Sequence, residues 1–213
     1  MKVIIPEDLS EIKLKDYQKY LKIVEDNEGA DDFLALKMIE VFCHIKFSQV
    51  RQLPMKDVEE IVTILNNTFE SKRKFQRHFK IRGIEYGFIP DLENISMGEY
   101  IDITSYLGDT DSLHKLMAVL YRPTVIHKKE LYTIKKYEGS SDYSDVMKEA
   151  PLDVCLESQV FFWDLTRELL KGTADYLEAL NLTSQEKETL EASGVGINQF
   201  MELHKEGSLT LTE

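Results

Sequence analysis

Few residues in this chain have types and spacing that could do chemistry. The two thiols, Cys43 and Cys155, lie far apart, with no CxxC pair and no Cys/His ligand spacing. Such cysteines read as reduced core residues of a protein made in a cytosol. His44 follows Cys43 directly, and neighbours on a helix point about 100° apart, so the two cannot face one another as nucleophile and base. No GxSxG elbow, phosphate-binding GxxxxGK[ST] loop or GxGxxG fingerprint occurs. Gly194-Val195-Gly196 lacks a third glycine and a preceding strand, which leaves a helix stop and a turn. The histidines (His44, His78, His114, His127, His204) contain no HExxH or other close ligand pair, so nothing points to zinc. The acidic stretch from Asp26 to Asp32 lacks the ligand alternation, sixth-position Gly and twelfth-position Glu of a calcium loop. Asp109-x-Asp111 is suited to helix capping. The reading is non-enzymatic, with no catalytic, metal-ligating or cofactor-binding residue and no cofactor.

Charge offers a different kind of chemistry. Lys72, Arg73, Lys74, Arg77, Lys80 and Arg82, with His78, form one dense basic segment in a chain of net charge −12. Phe75 and Phe79 are interleaved with them. On a strand, Arg77, Phe79 and Ile81 would share one face, and His78, Lys80 and Arg82 the other. Three readings stand: a solvated face whose cations protect a sheet edge, a contact for an acidic protein surface, or a contact for nucleic acid. The acidic total weighs against the last, and against anionic membranes. Phe161-Phe162-Trp163 is the second candidate contact. Three consecutive helical residues sweep about 200°, so this helix is either buried on several sides or offers an aromatic face to a partner.

The elements that must position these residues are mostly helices. The chain has 213 residues, 43% hydrophobic and 30% charged, with 10 Gly and 5 Pro. That is apolar enough for a real core and too poor in turn formers for an all-β fold. No apolar run reaches 18 residues, so no membrane span is expected, and the opening Met1 to Glu7 lacks the greasy stretch of a secretory signal. Apolar spacing of three and four predicts helices over 15–25, from Asp31-Asp32 to Ile45, and over 56–69, with a short turn after Ser48 stopped by Pro54. Ser96-Met97-Gly98-Glu99 is a capping box, and Asp109-Thr110-Asp111 opens another helix that Arg122-Pro123 stops. Alternation from Phe75 to Phe88 predicts a β-hairpin turning near Arg82-Gly83, with a further short strand over about 130–137.

Gly139-Ser140-Ser141-Asp142 reads as an internal linker. It divides a helical unit with the hairpin (1–138) from a C-terminal part (139–213), unless the two form one continuous domain. Pro151 suits the first turn of a long helix reaching about Leu180. Thr183-Ser184-Gln185-Glu186 is a second capping box, a last helix spans about 197–205, and the tail from Gly207 is small and polar. The expected fold is mainly α, a helical bundle with a small central β-hairpin or three-stranded sheet.

Several segments, in order, carry a resemblance. They are Phe79-Lys80-Ile81-Arg82-Gly83-Ile84-Glu85-Tyr86-Gly87-Phe88-Ile89-Pro90-Asp91-Leu92, then Ser96-Met97-Gly98-Glu99-Tyr100-Ile101-Asp102. Met117-Ala118-Val119-Leu120-Tyr121-Arg122-Pro123 and Tyr143-Ser144-Asp145-Val146-Met147-Lys148 follow. This order resembles small proteins encoded among the tail and virion genes of tailed double-stranded-DNA phages infecting Bacteroidota, particularly crAss-like phages, over roughly Lys15 to Leu180. The resemblance implies a non-enzymatic virion protein, made in the host bacterial cytoplasm and packaged in the tail or capsid as cargo or structural component. Its partners would be other virion proteins and further copies of itself, and its role would be tied to genome delivery. The alternatives are a tail assembly chaperone absent from mature particles, or a nucleic-acid-handling protein using residues 72–82. No catalytic residue comes with the resemblance.

Overall fold

The computed structural model describes residues 3–92, 94–128 and 131–164. Helix α1 (Leu14–Glu25) has no side-chain cap at Lys13. A helix start leaves its first N–H groups without partners, and here the fold supplies them. Leu14 and Lys15 donate to the carbonyls of Ala150 and Lys148 at 3.0 and 2.9 Å, and Leu152 donates to Ile12 at 2.9 Å. Lys13 and Pro151 make an antiparallel bridge. Glu149 adds 2.6 Å ion pairs to both Lys13 and Lys15. The chain near residue 14 is thus stapled to the chain near residue 150.

Helix α2 (Asp31–Phe42) begins with two acids in its first turn, where the helix dipole favours them. The nearly all-round apolar stretch does not continue as helix to Ile45. It stops at Phe42, and His44 takes a left-handed conformation (φ 53°) that ends it. After the single turn α3 (Phe47–Val50), α4 (Met55–Phe69) buries Val58, Ile61, Leu65 and Thr68, one side of the helix. Phe42 joins these helices: its ring lies 5.2 Å from both Tyr20 and Phe69, tilted as aromatic pairs prefer.

Strands β1 (His78–Ile81) and β2 (Ile84–Phe88) form the expected hairpin around a two-residue turn, Arg82-Gly83. Ser96 and Glu99 close the capping box of α5 (Met97–Tyr106). Helix α6 (Leu113–Leu120) is the centre of the molecule, with Leu113, Leu116, Met117, Ala118, Val119 and Leu120 all fully buried.

Past α6 the structure departs from the expectation. Helix α6 ends at Leu120, and Arg122-Pro123, expected as its stop, are the second and third residues of a strand. Strand β3 (Tyr121–Lys128) leaves α6 without a loop and pairs with both β2 and β4 (Leu131–Ile134). The sheet is therefore four-stranded and antiparallel, in the order β1-β2-β3-β4. Pro123 is tolerated because it pairs with Tyr86 just before an irregularity between Thr124 and Ile126, the kind of place where a strand can lack an N–H. The inner sheet face buries Phe79, Ile81, Tyr86, Phe88 and Tyr121.

An ion pair joins helix α5 to the sheet. Arg122 reaches Glu99 at 2.6 Å with both side chains buried, and its guanidinium lies 5.4 Å from the Tyr137 ring centre. The Tyr137 hydroxyl donates to Asp102. The stretch expected to be a linker is a turn packed on the protein: Ser140 is buried beside the Tyr106 hydroxyl, and α7 (Ser141–Met147) follows at once. Helix α8, over 152–164, buries Leu152, Val154, Cys155, Ser158 and Phe162. The continuation towards Leu180, the second capping box, the helix over 197–205 and the tail lie outside the described residues. The described part is mainly α with a small antiparallel sheet, and among the described residues no helix is long and apolar enough to cross a membrane.

Candidate interaction surface

The basic segment leaves α4, runs past α8 and enters the sheet, and that path sorts its side chains. The apolar and amide residues turn inward. Phe75 stacks on Phe161 at 4.2 Å. Gln76 donates to Asp153 at 2.6 Å and accepts from the Tyr121 hydroxyl at 2.6 Å on its carbonyl. Phe79 and Ile81 are buried. Of the six cations, Arg73 is drawn inward, 3.5 Å from Glu157 and donating to the Phe69 carbonyl. Lys72, Lys74, Arg77, Lys80 and Arg82 are exposed. Arg77 does not share the inner face with Phe79 and Ile81, because the strand begins at His78 and Arg77 precedes it. Arg82 occupies the tip of the hairpin with φ 50°.

A half-open cleft of about 380 Å³ lies beside this segment, between Lys72, Lys74 and Gln76 on one side and Asp8 and Asp153 on the other. Burial pushes the Asp153 carboxyl above its ordinary value, and its Oδ1 has no hydrogen-bond partner. Cations and carboxylates share the cleft, with the Ser71 hydroxyl beside them.

The aromatic triplet is used by the core. Phe161 is held between Phe75 and Phe88, meeting Phe88 edge-on at 5.6 Å. Phe162 is buried, and Trp163 is half-buried against the core. Of the two readings of this helix, burial on several sides describes these three rings; the exposed large apolar residue here is their neighbour Val160.

Sequence reasoning missed a different apolar set. Ile84, Val125, Ile126 and Leu131 are exposed, Leu131 by 80%, and they lie in strands β2, β3 and β4. The signal was present in the β-branched pair Val125-Ile126, but it followed residues read as a helix stop. The same strand brings His127 to within 2.9 Å of Glu85 and stacks it on His78, a cluster that spacing does not reveal.

The residues most able to act as nucleophiles are poorly placed for it. Burial pushes the Cys43 thiol up to about 11 and the Cys155 thiol higher still, so neither supplies thiolate at neutral pH. Among the described residues no group of three His, Cys, Asp or Glu side chains could hold a metal ion. The site defined by these residues is a surface, basic along one segment and apolar at its outer end. No protein-family model matches the chain, and neither the curated proteins nor the solved structures compared with it give a match.

Proposed function

We propose that this chain is a non-enzymatic phage virion protein, carried in the tail or capsid as cargo or structural component and associated with genome delivery. It acts by binding other proteins through its basic segment and the outer end of its sheet. One observation carries this reading. Residues 72–82 hold six cations and no carboxylate in a chain of net −12, so the rest of the chain carries −18, and five of the six cations point to solvent. A local positive surface on so acidic a body attracts an acidic protein face while the body repels nucleic acid. The ordered segments resembling phage virion proteins support the setting.

The alternative is a tail assembly chaperone. The exposed Ile84, Val125, Ile126 and Leu131 favour it, since such residues could hold an apolar face of a tail protein until assembly. Mass spectrometry of purified particles separates the two. The virion reading expects the chain in mature particles at a stoichiometry reproducible between preparations. Its presence in infected cells and absence from particles overturns that reading in favour of the chaperone.

A further inference from the structure

Beyond Thr124 the β3–β4 hairpin is joined to the rest of the sheet mainly by side chains. Backbone pairing between β2 and β3 covers Tyr121 to Pro123, and the register then shifts. His127, Lys128 and Leu131 pair within the hairpin itself. Four strands each send a side chain to the joint. The His127 ring stacks on His78, centres 4.7 Å apart and planes 16° apart. His127 Nδ1 lies 2.9 Å from a Glu85 oxygen. The Tyr132 ring meets His78 edge-on at 4.2 Å, and its hydroxyl donates to the Phe88 carbonyl at 2.8 Å. Gly87 makes the room, since a Cβ there would fall 2.9 Å from the Tyr132 ring. The Nε2 of His78 is buried with no hydrogen-bond partner.

We propose that this cluster is an acid-released clasp: the uncharged His78 ring, stacked on His127, holds β4 and the part of β3 beyond Thr124 against the outer face of β1–β2, and protonation of His78 frees them. Every titratable neighbour bears on the balance. Glu85 on β2 is the carboxylate at the joint, and His127 already engages it. Arg77, just before β1, and Lys80, on it, add positive charge, while Tyr132 on β4 contributes a neutral ring. The Glu85 carboxylate is thus taken up by His127, at 2.9 Å. A proton on His78 would charge a ring whose buried Nε2 has no acceptor and which is stacked on a second imidazole, centres 4.7 Å apart.

The titration agrees with the geometry. Burial first, then His127 and Arg77, hold His78 below its ordinary value against the opposing pull of Glu85. A histidine so depressed stabilises the closed form at pH above its ordinary value of 6.5. That contribution is lost as pH falls to the depressed value, and the open fraction grows by up to about tenfold per pH unit across that window. Opening would re-aim Val125, Ile126 and Leu131, so the clasp would set where the apolar end of the surface points. It stands on the joint itself, independently of the virion reading.

The test is NMR of the full chain from pH 7.5 to 5, following the His78 and His127 ring titrations and the Tyr132 ring shifts. The expected result is a His78 titration below the ordinary histidine value, with loss of the His78–Tyr132 ring contact over the same range. His78→Phe keeps a stacked ring without a proton and should leave Tyr132 insensitive to pH. Glu85→Gln should move the opening to higher pH. The clasp is overturned by an ordinary His78 titration, by an unchanged ring contact at pH 5, or by a His78→Phe variant that keeps the original pH response. If His78→Phe does not fold, the titrations of the unmodified chain still decide.

Discussion

Glu99 shows how much one side chain can carry. Ser96 donates to it through hydroxyl and backbone N–H, both at 2.7 Å, and Arg122 pairs with it at 2.6 Å in the interior. Burial alone would push its carboxyl up, yet these Ser96 hydrogen bonds and Arg122 hold it below the ordinary 4.5. The native state thus binds this proton less readily than the unfolded chain. Its contribution is complete above pH 4.5 and is lost as pH falls towards the depressed value. Glu99→Gln leaves a buried guanidinium unpaired and should cost about 3–5 kcal/mol in urea unfolding, with a flatter acid limb. Replacing both partners by apolar residues should recover most of that loss. The capping box is legible in Ser96-x-x-Glu99. The ion pair is not, because its other half lies on a strand that the spacing of apolar residues presents as the end of a helix.

At the scale of elements, α1, α2 and α4 stand close to where the three-and-four spacing puts them, and α5 and α6 follow the capping box and the Asp109-Thr110-Asp111 start. The sheet was half legible. Phe79, Ile81, Tyr86 and Phe88 alternate cleanly along β1 and β2, whereas β3 starts as the buried continuation of α6, with no loop and a proline as its third residue. Tertiary pairing overrode the local breaker. The β1–β2 turn has a local cost of its own: Arg82 sits at φ 50° before Gly83 at φ 83°, a backbone that Asn adopts more readily than Arg. Arg82→Asn should therefore raise stability by about 1 kcal/mol in thermal unfolding, while weakening partner association if Arg82 belongs to the contact. A matched loss of both would instead mean that Arg82 holds the hairpin together.

The whole molecule is a charge-divided body, with −18 outside one stretch of +6. The density of that stretch could be read directly, but not that Arg73 is drawn inward by Glu157 or that Arg77 falls outside the strand. Replacing Lys72, Lys74, Arg77 and Lys80 by Gln should leave the fold intact and weaken capture of the proposed acidic protein partner at least tenfold. Rising salt should weaken the unmodified pair and hardly affect the variant. Duplex DNA at physiological salt should bind weakly or not at all. A steep linear fall of its log affinity with log salt would mean phosphate neutralisation and would favour the nucleic-acid reading.

The staple between residues 12–15 and 148–152 has a consequence during synthesis. Helix α1 emerges from the ribosome early, but the carbonyls that complete its first turn are made roughly 130 residues later. At 5–20 residues per second the delay is on the order of 7 to 26 seconds. Throughout that interval the N–H of Leu14, a residue fully buried in the finished protein, lacks the Ala150 carbonyl that receives it. The nascent chain is then a ready client for general holdases, and its final cooperative closure must follow the appearance of Pro151.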